Sequence, residues 1–194
     1  YYLKNGIALK ESDIIVTTAG SEAVTFAMMV VCGAGDEIIV PEPFYTNYNG
    51  FATMAGINIV PITTHAENGF QLPSTSVIEE KIGAKTKAIM ICNPGNPTGT
   101  VYGKDEIHRL AEIAKKHGLY IISDEVYREF IYDGQTHTSI LSVEGIEEHA
   151  IMVDSVSKRY SACGARIGCI VSRNKELMDA TLKFAQARLC PPTV

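Results

Sequence analysis

The sequence predicts an α/β domain of three layers (α/β/α), with helices on both faces of a mostly parallel sheet of roughly seven strands. Three observations carry that expectation. Short β-branched runs alternate along the chain with amphipathic segments of helical period, the pattern of a doubly wound sheet. One of these runs, KAIMIC (87–92), is apolar almost throughout, as suits a strand covered on both faces. The 194 residues, 46% of them hydrophobic, suffice for one sizeable core.

Taken in order, DIIVTT (13–18) reads as a strand and SEAVTFAMMVVC (21–32) as a helix stopped by Gly33. DEIIVP (36–41) and INIVPI (57–62) are strands on either side of a helix, TNYNGFATMAG (46–56). KAIMIC is the next strand. In GKDEIHRLAEIAKKHG (103–118), Ile107, Leu110, Ala111, Ile113 and Ala114 recur at helical spacing. Acids occupy its first turn and Lys115, Lys116 and His117 its last, complementing the helix dipole, and Gly118 ends it. LYIIS (119–123), AIMVDS (150–155) and RIGCIVS (166–172) complete the strands, and NKELMDATLKFAQARL (174–189) is a long helix. The chain shows no repeat, low-complexity tract or linker, so residues 1–194 form one domain.

Composition narrows the function. A net charge of −5 gives no basic footprint for nucleic acid or an anionic membrane. No apolar run approaches the ~20 residues of a membrane span, and the visible sequence opens on no signal peptide. Cys32, Cys92, Cys163, Cys169 and Cys190 show neither C-x-x-C spacing nor a dense framework, which favours reduced thiols in a cytoplasmic protein. The five histidines have no ligand spacing, so no metal site is expected, nor is a Ser-His-Asp set. The chain begins YYLKNGIAL without a methionine and ends CPPTV soon after a helical pattern. It is expected to be an excerpt from a longer protein.

In open parallel sheets ligands bind beyond the carboxyl ends of the strands, and four polar clusters fall there. TAGSEA sets Gly20 and Ser21 at a turn into a helix, where free N–H groups suit a phosphate or a simple cap. NPGNPTG (93–99) is either a tight loop or a loop presenting Asn96 and Thr98 to a ligand; an X-Pro bond there is a candidate for the cis form. SDEVY (123–127) puts Asp124 at a strand end with Tyr127 three residues on; the carboxylate either caps the next helix or pairs with a buried cationic ligand atom. Tyr45, in PEPFYTNY, either packs in its loop or covers a flat ring. The sharpest cluster is DSVSKRYSACGARIG (154–168). A lysine amine kept partly out of water is a nucleophile able to form a Schiff base, and an arginine forks onto phosphate oxygens. Lys158, Ser155 and Arg166 supply those groups, unless Lys158 and Arg166 merely flank a strand.

Together, NPTG, then DEVY, then S-x-x-K with an arginine eight residues beyond the lysine resemble the large domain of the class I/II aminotransferases. These are fold-type I enzymes dependent on pyridoxal 5'-phosphate (PLP), and within them the chain looks closest to the aspartate and aromatic aminotransferase subgroup. The resemblance covers essentially the whole chain and implies a role for each matching residue. Lys158 matches the lysine that forms a Schiff base with PLP, and Asp124 the acid that pairs with the pyridine nitrogen. Tyr127 and Asn96 match the residues that hydrogen-bond the cofactor's 3′-oxygen. Ala19, Gly20, Ser21, Ser155 and Arg166 match the phosphate cup, and Tyr45 stands where an aromatic stacks on the ring. Cis peptides before Pro97 and Pro43 are implied too, as are an L-amino acid and a 2-oxo acid as substrates and a homodimer for the full-length protein.

In this family a smaller second domain, built from both chain ends, carries the arginine that grips the substrate carboxylate, and an N-terminal arm reaches the neighbouring subunit's site. Neither has a counterpart here, so the fragment alone is expected to be inactive. Other PLP chemistries on the same fold, a β-lyase or an aminocyclopropane-carboxylate synthase, share Lys158, Asp124 and Arg166. A PLP-binding effector domain of a transcription regulator would need a basic winged helix upstream, and the visible sequence is acidic.

Overall fold

A computed structural model describes residues 1–189. Its seven strands are β1 (Ile14–Thr18), β2 (Glu37–Glu42), β3 (Asn58–Thr63), β4 (Thr86–Cys92), β5 (Tyr120–Asp124), β6 (Ala150–Ser155) and β7 (Ile167–Val171). They form one sheet in the order β1-β7-β6-β5-β4-β2-β3. Strands β3, β2, β4, β5 and β6 are parallel, and β7 runs antiparallel to both β6 and β1. Six strands therefore end at one edge of the sheet, and β7 begins there. That reversal brings Arg166, just ahead of β7, to the edge where the other polar clusters lie.

The helices are α1 (Ala19–Val31), α2 (Asn47–Met54), α3 (Thr75–Glu79), α4 (Lys104–His117), α5 (Val156–Arg159) and α6 (Lys175–Ala187). Helices α1, α2 and α6 bury Ala23, Ala27, Tyr48 and Leu177 against Met90, Ile122 and Val153 on one face of the sheet. On the other face α4 buries Ile107, Leu110, Ala111, Ile113 and Ala114, the stripe its sequence predicts, against Ile89, Ile121 and Met152. Gly118 ends α4 in the left-handed region, φ 64°, as glycine does without a Cβ penalty. Pro61 sits in β3, an edge strand, where a missing N–H is tolerated.

Two short helices escape the sequence reading. Helix α3 has only five residues, too few for a period to show. Helix α5 is one turn, capped by Ser155 Oγ accepting from Ser157 N at 3.1 Å, and it lifts Lys158 out of what reads as a loop. Helix α1 begins two residues before its predicted start, at Ala19. Four cysteines (Cys32, Cys92, Cys163 and Cys169) are free thiols, and Cys190 lies outside the described residues. Among the described residues no helix is long and apolar enough to cross a membrane.

Candidate active site

The turn from β1 into α1 is held in an unusual shape. Ala19 lies at φ 62°, a region sparsely populated for residues with a Cβ. Its N–H donates to the Arg166 carbonyl at 2.8 Å, and Thr17 Oγ1 donates to the Ala19 carbonyl at 2.9 Å. Arg166 is also left-handed, φ 54°, so two strained residues clip together at the sheet edge. Gly168 makes the clip fit: a Cβ there would stand 2.4 Å from the Ala19 carbonyl carbon and 2.7 Å from the Gly20 nitrogen. The result aims the first turn of α1, with Gly20 and Ser21, at the end of β6 and the start of β7.

Between β2 and α2 the chain turns through a cis Glu42–Pro43 bond. Tyr45 then stands edge-on to Tyr48, ring centres 5.4 Å apart, and its hydroxyl accepts from Asn47 Nδ2 at 2.6 Å. After β4, the NPGNPTG loop holds the cis bonds Asn93–Pro94 and Asn96–Pro97, of which the resemblance implies only the second. The two asparagines divide the work. Asn93 is fully buried and brackets the loop, its Oδ1 accepting from Tyr102 N at 2.9 Å and its own N–H donating to the Asp124 carbonyl. Asn96 is half-buried and faces a cavity.

Asp124, the last residue of β5, is 6% exposed. Tyr48 Oη donates to its Oδ2 at 2.7 Å and Val126 N to its Oδ1 at 3.3 Å. Burial pushes the carboxyl up to about 6, against the opposing pull of the Tyr48 hydroxyl. The Tyr48 phenol is itself held well above its ordinary range by burial and by Asp124. Among the described residues no cation pairs with Asp124.

Lys158, on α5, points its Nζ over the Tyr127 ring at 5.7 Å from the centroid, an attractive cation–π distance. Ser155 Oγ donates to the Ile167 carbonyl at 2.9 Å, tying β6 to the start of β7. Arg166 is exposed, with Nη1 donating to the Cys163 carbonyl at 3.2 Å.

All ten residues singled out in the sequence (Ala19, Gly20, Ser21, Tyr45, Asn96, Asp124, Tyr127, Ser155, Lys158 and Arg166) line one cavity of about 200 Å³. They come from the carboxyl ends of five strands and the start of β7. Tyr48 and Cys92 also line it and were missed. Tyr48 had a signal, since it lies one helical turn beyond Tyr45; Cys92 closes an apolar strand and carries none.

Known proteins resemble this chain in sequence and in fold. The family model "Aminotransferase class I and II" matches residues 1–194.

The chain belongs to the class I and II aminotransferases.

An aspartate aminotransferase of Pyrococcus abyssi is 34% identical over 93% of the chain, and an aspartate/prephenate aminotransferase of Thermus thermophilus is 31% identical over 98%. Among solved structures, an aromatic aminotransferase from Pyrococcus horikoshii superposes with a TM-score of 0.91 at 31% identity, covering 98% of the chain and 51% of that protein. The chain spans about half the length of the curated relatives it matches, 46% of the Pyrococcus abyssi protein and 49% of the Thermus thermophilus one. The family uses PLP, and the α/β architecture with a seven-stranded, mostly parallel sheet is shared with these aminotransferase structures.

Proposed function

We propose that this chain is the cofactor-binding large domain of a longer, PLP-dependent aminotransferase that moves an amino group between an L-amino acid and a 2-oxo acid. One observation carries the reading: Asp124, a buried acid with no cationic partner among the described residues, shares a small cavity with Lys158. A carboxylate so placed suits a ligand that brings its own positive charge, such as a protonated pyridine ring.

The remaining residues fit the same group. The first turn of α1, Ser21, Ser155 and Arg166 form one cluster of donors suited to a phosphate. Tyr45 offers a ring face, and Asn96 and Tyr127 offer side-chain donors for a phenolic oxygen. When bound, PLP supplies an electron sink for the pair left as the substrate α-proton departs. Asp124 would pair with the ring nitrogen and keep its proton in place. Lys158 would hold the cofactor covalently through its Nζ, and the same amine, once free, would carry a proton to and from the substrate. The names of the relatives favour aspartate or an aromatic amino acid as donor. A homodimer in the cytoplasm, with a second domain completing the substrate site, is the assembly that fits this reading.

The test uses the full-length protein with PLP. Borohydride reduction and peptide mapping are expected to find the pyridoxyl group on Lys158; labelling of Lys115 or Lys116 instead overturns the assignment. Incubation with an amino acid and a 2-oxo acid is expected to give the exchanged pair. Release of ammonia, or ring closure of the substrate, would place the protein among the other PLP chemistries of the fold.

A further inference from the structure

Strand alternation puts Ser155 and Val153 on the cavity side of β6 and Asp154 and Met152 on the reverse side. Asp154 is 1% exposed. Its two oxygens accept from Arg159 Nη2 at 2.7 and 2.6 Å, its Oδ2 also from Tyr2 Oη at 2.7 Å, and its Oδ1 from Ser155 N at 2.7 Å. The Arg159 guanidinium in turn lies 3.7 Å over the Tyr1 ring. Arg159 is the last residue of α5 and directly follows Lys158.

We propose that Arg159 is a positioning residue, which through Asp154 and Tyr2 fixes the one-turn helix that presents Lys158 to the cavity. Four helical residues cannot hold themselves, because a single turn fixes several dihedrals for one hydrogen bond. Helix α5 is pinned at its start by the Ser155 cap and at its end by the Arg159 pair. Lys158 lies between the two pins. Stability alone is a poor account of the pair, since buried ion pairs often add little over a packed apolar substitute, whereas in some proteins they specify geometry. The same device recurs one strand over: Arg128 follows Tyr127 and pairs with Glu125, which is fully buried behind Asp124. At both places a cavity-facing residue is followed at once by an arginine anchored on the reverse face.

This inference rests on the reading of Lys158 as the cofactor lysine, and the experiment separates the two. In the full-length protein reconstituted with PLP, borohydride labelling of the wild type tests that reading by itself. The positioning role is tested by Arg159→Met, Asp154→Asn and the milder Tyr2→Phe. Each is expected to keep the label on Lys158 and PLP affinity within about threefold, while the pH midpoint of the cofactor's visible band moves by about half a unit or more in Arg159→Met. In that variant kcat is expected to fall about tenfold or more with KM within about twofold, the mark of misplaced reacting groups rather than lost binding. Tyr2→Phe is expected to move the midpoint the same way by less. An unchanged midpoint and kcat in whichever of these variants fold overturns the proposal.

Discussion

On the face of the sheet covered by α1 and α2, Asp124, Ser155 and Lys158 look into a cavity. One residue along, on the reverse face, Glu125 and Asp154 are buried against Arg128 and Arg159. Both faces hold a buried carboxylate at the end of β5, and they treat it in opposite ways. Glu125 accepts from Ser123, Ser139 and the Ile140 N–H at 2.9–3.1 Å besides its arginine. Asp124 has one hydroxyl, one backbone N–H and no cation among the described residues. A completed set of partners marks structure, and an incomplete one marks a place kept for a ligand.

The largest break in that contrast comes from Lys158→Ala in the full-length protein. Covalent attachment and proton transfer vanish together, so turnover is expected to fall by about 10⁴-fold or more. PLP is still expected to bind through the phosphate donors, without being fixed by borohydride. A rate within about tenfold of wild type would show that Lys158 is ordinary.

Next comes the reverse face. Arg128→Met leaves the Glu125 carboxylate buried without its cation, and breaking one side of such a pair costs about 3–5 kcal/mol. Denaturant unfolding of the full-length protein measures it. A loss below about 1 kcal/mol would mean that Glu125 is held by its hydroxyl and N–H donors alone.

The same contrast explains what the sequence reveals and what it hides. Cavity residues are legible because they come in clusters of unusual chemistry at strand ends, as in NPGNPTG, DEVY and SVSK. Their reverse-face neighbours stand inside those very motifs, yet nothing in DEVYR or DSVSKR says that Glu125, Arg128, Asp154 and Arg159 point away. The pleat decides that for the two acids, and the turns that follow β5 and β6 decide it for the two arginines. The direction of β7 is hidden for a similar reason, since RIGCIVS reads the same in either direction and only its pairing with β6 and β1 delivers Arg166 to the site. The early start of α1 follows from the left-handed Ala19, a conformation that no propensity of alanine foretells.

A smaller effect comes from Asp124→Asn in the cofactor-free protein. Burial raises the Asp124 carboxyl from an ordinary 3.8 to about 6, so the folded state holds a proton that the unfolded chain releases between those values. Its contribution to stability is therefore full below about pH 4 and is lost as pH rises through about 6, a change of about 3 kcal/mol. Asparagine does not titrate. The stability of the variant relative to wild type is expected to rise across that window, read from unfolding at pH 4 and pH 8. Adding PLP is expected to stabilise wild type more than the variant at pH 8. A pH-independent difference would mean that Asp124 finds a cation in the assembled protein.

The smallest change sharpens the contrast most. Tyr48 donates to Asp124 at 2.7 Å while Tyr45, three residues earlier, spends its hydroxyl on the exposed Asn47. A hydrogen bond that favours the charged form lowers an acid's pKa, so Tyr48→Phe is expected to lift the Asp124 transition above about 6. The cost should grow with pH, from near nothing at pH 4 to about 1–2 kcal/mol at pH 8, where the carboxylate is charged and short of a donor. Tyr45→Phe, which alters only an exposed contact, is expected to stay within about 0.5 kcal/mol at both. Equal, pH-independent losses in the two variants would show that Tyr48 only fills space. A loss confined to Tyr48→Phe at high pH would show that its hydroxyl serves the charge on Asp124, and so the site.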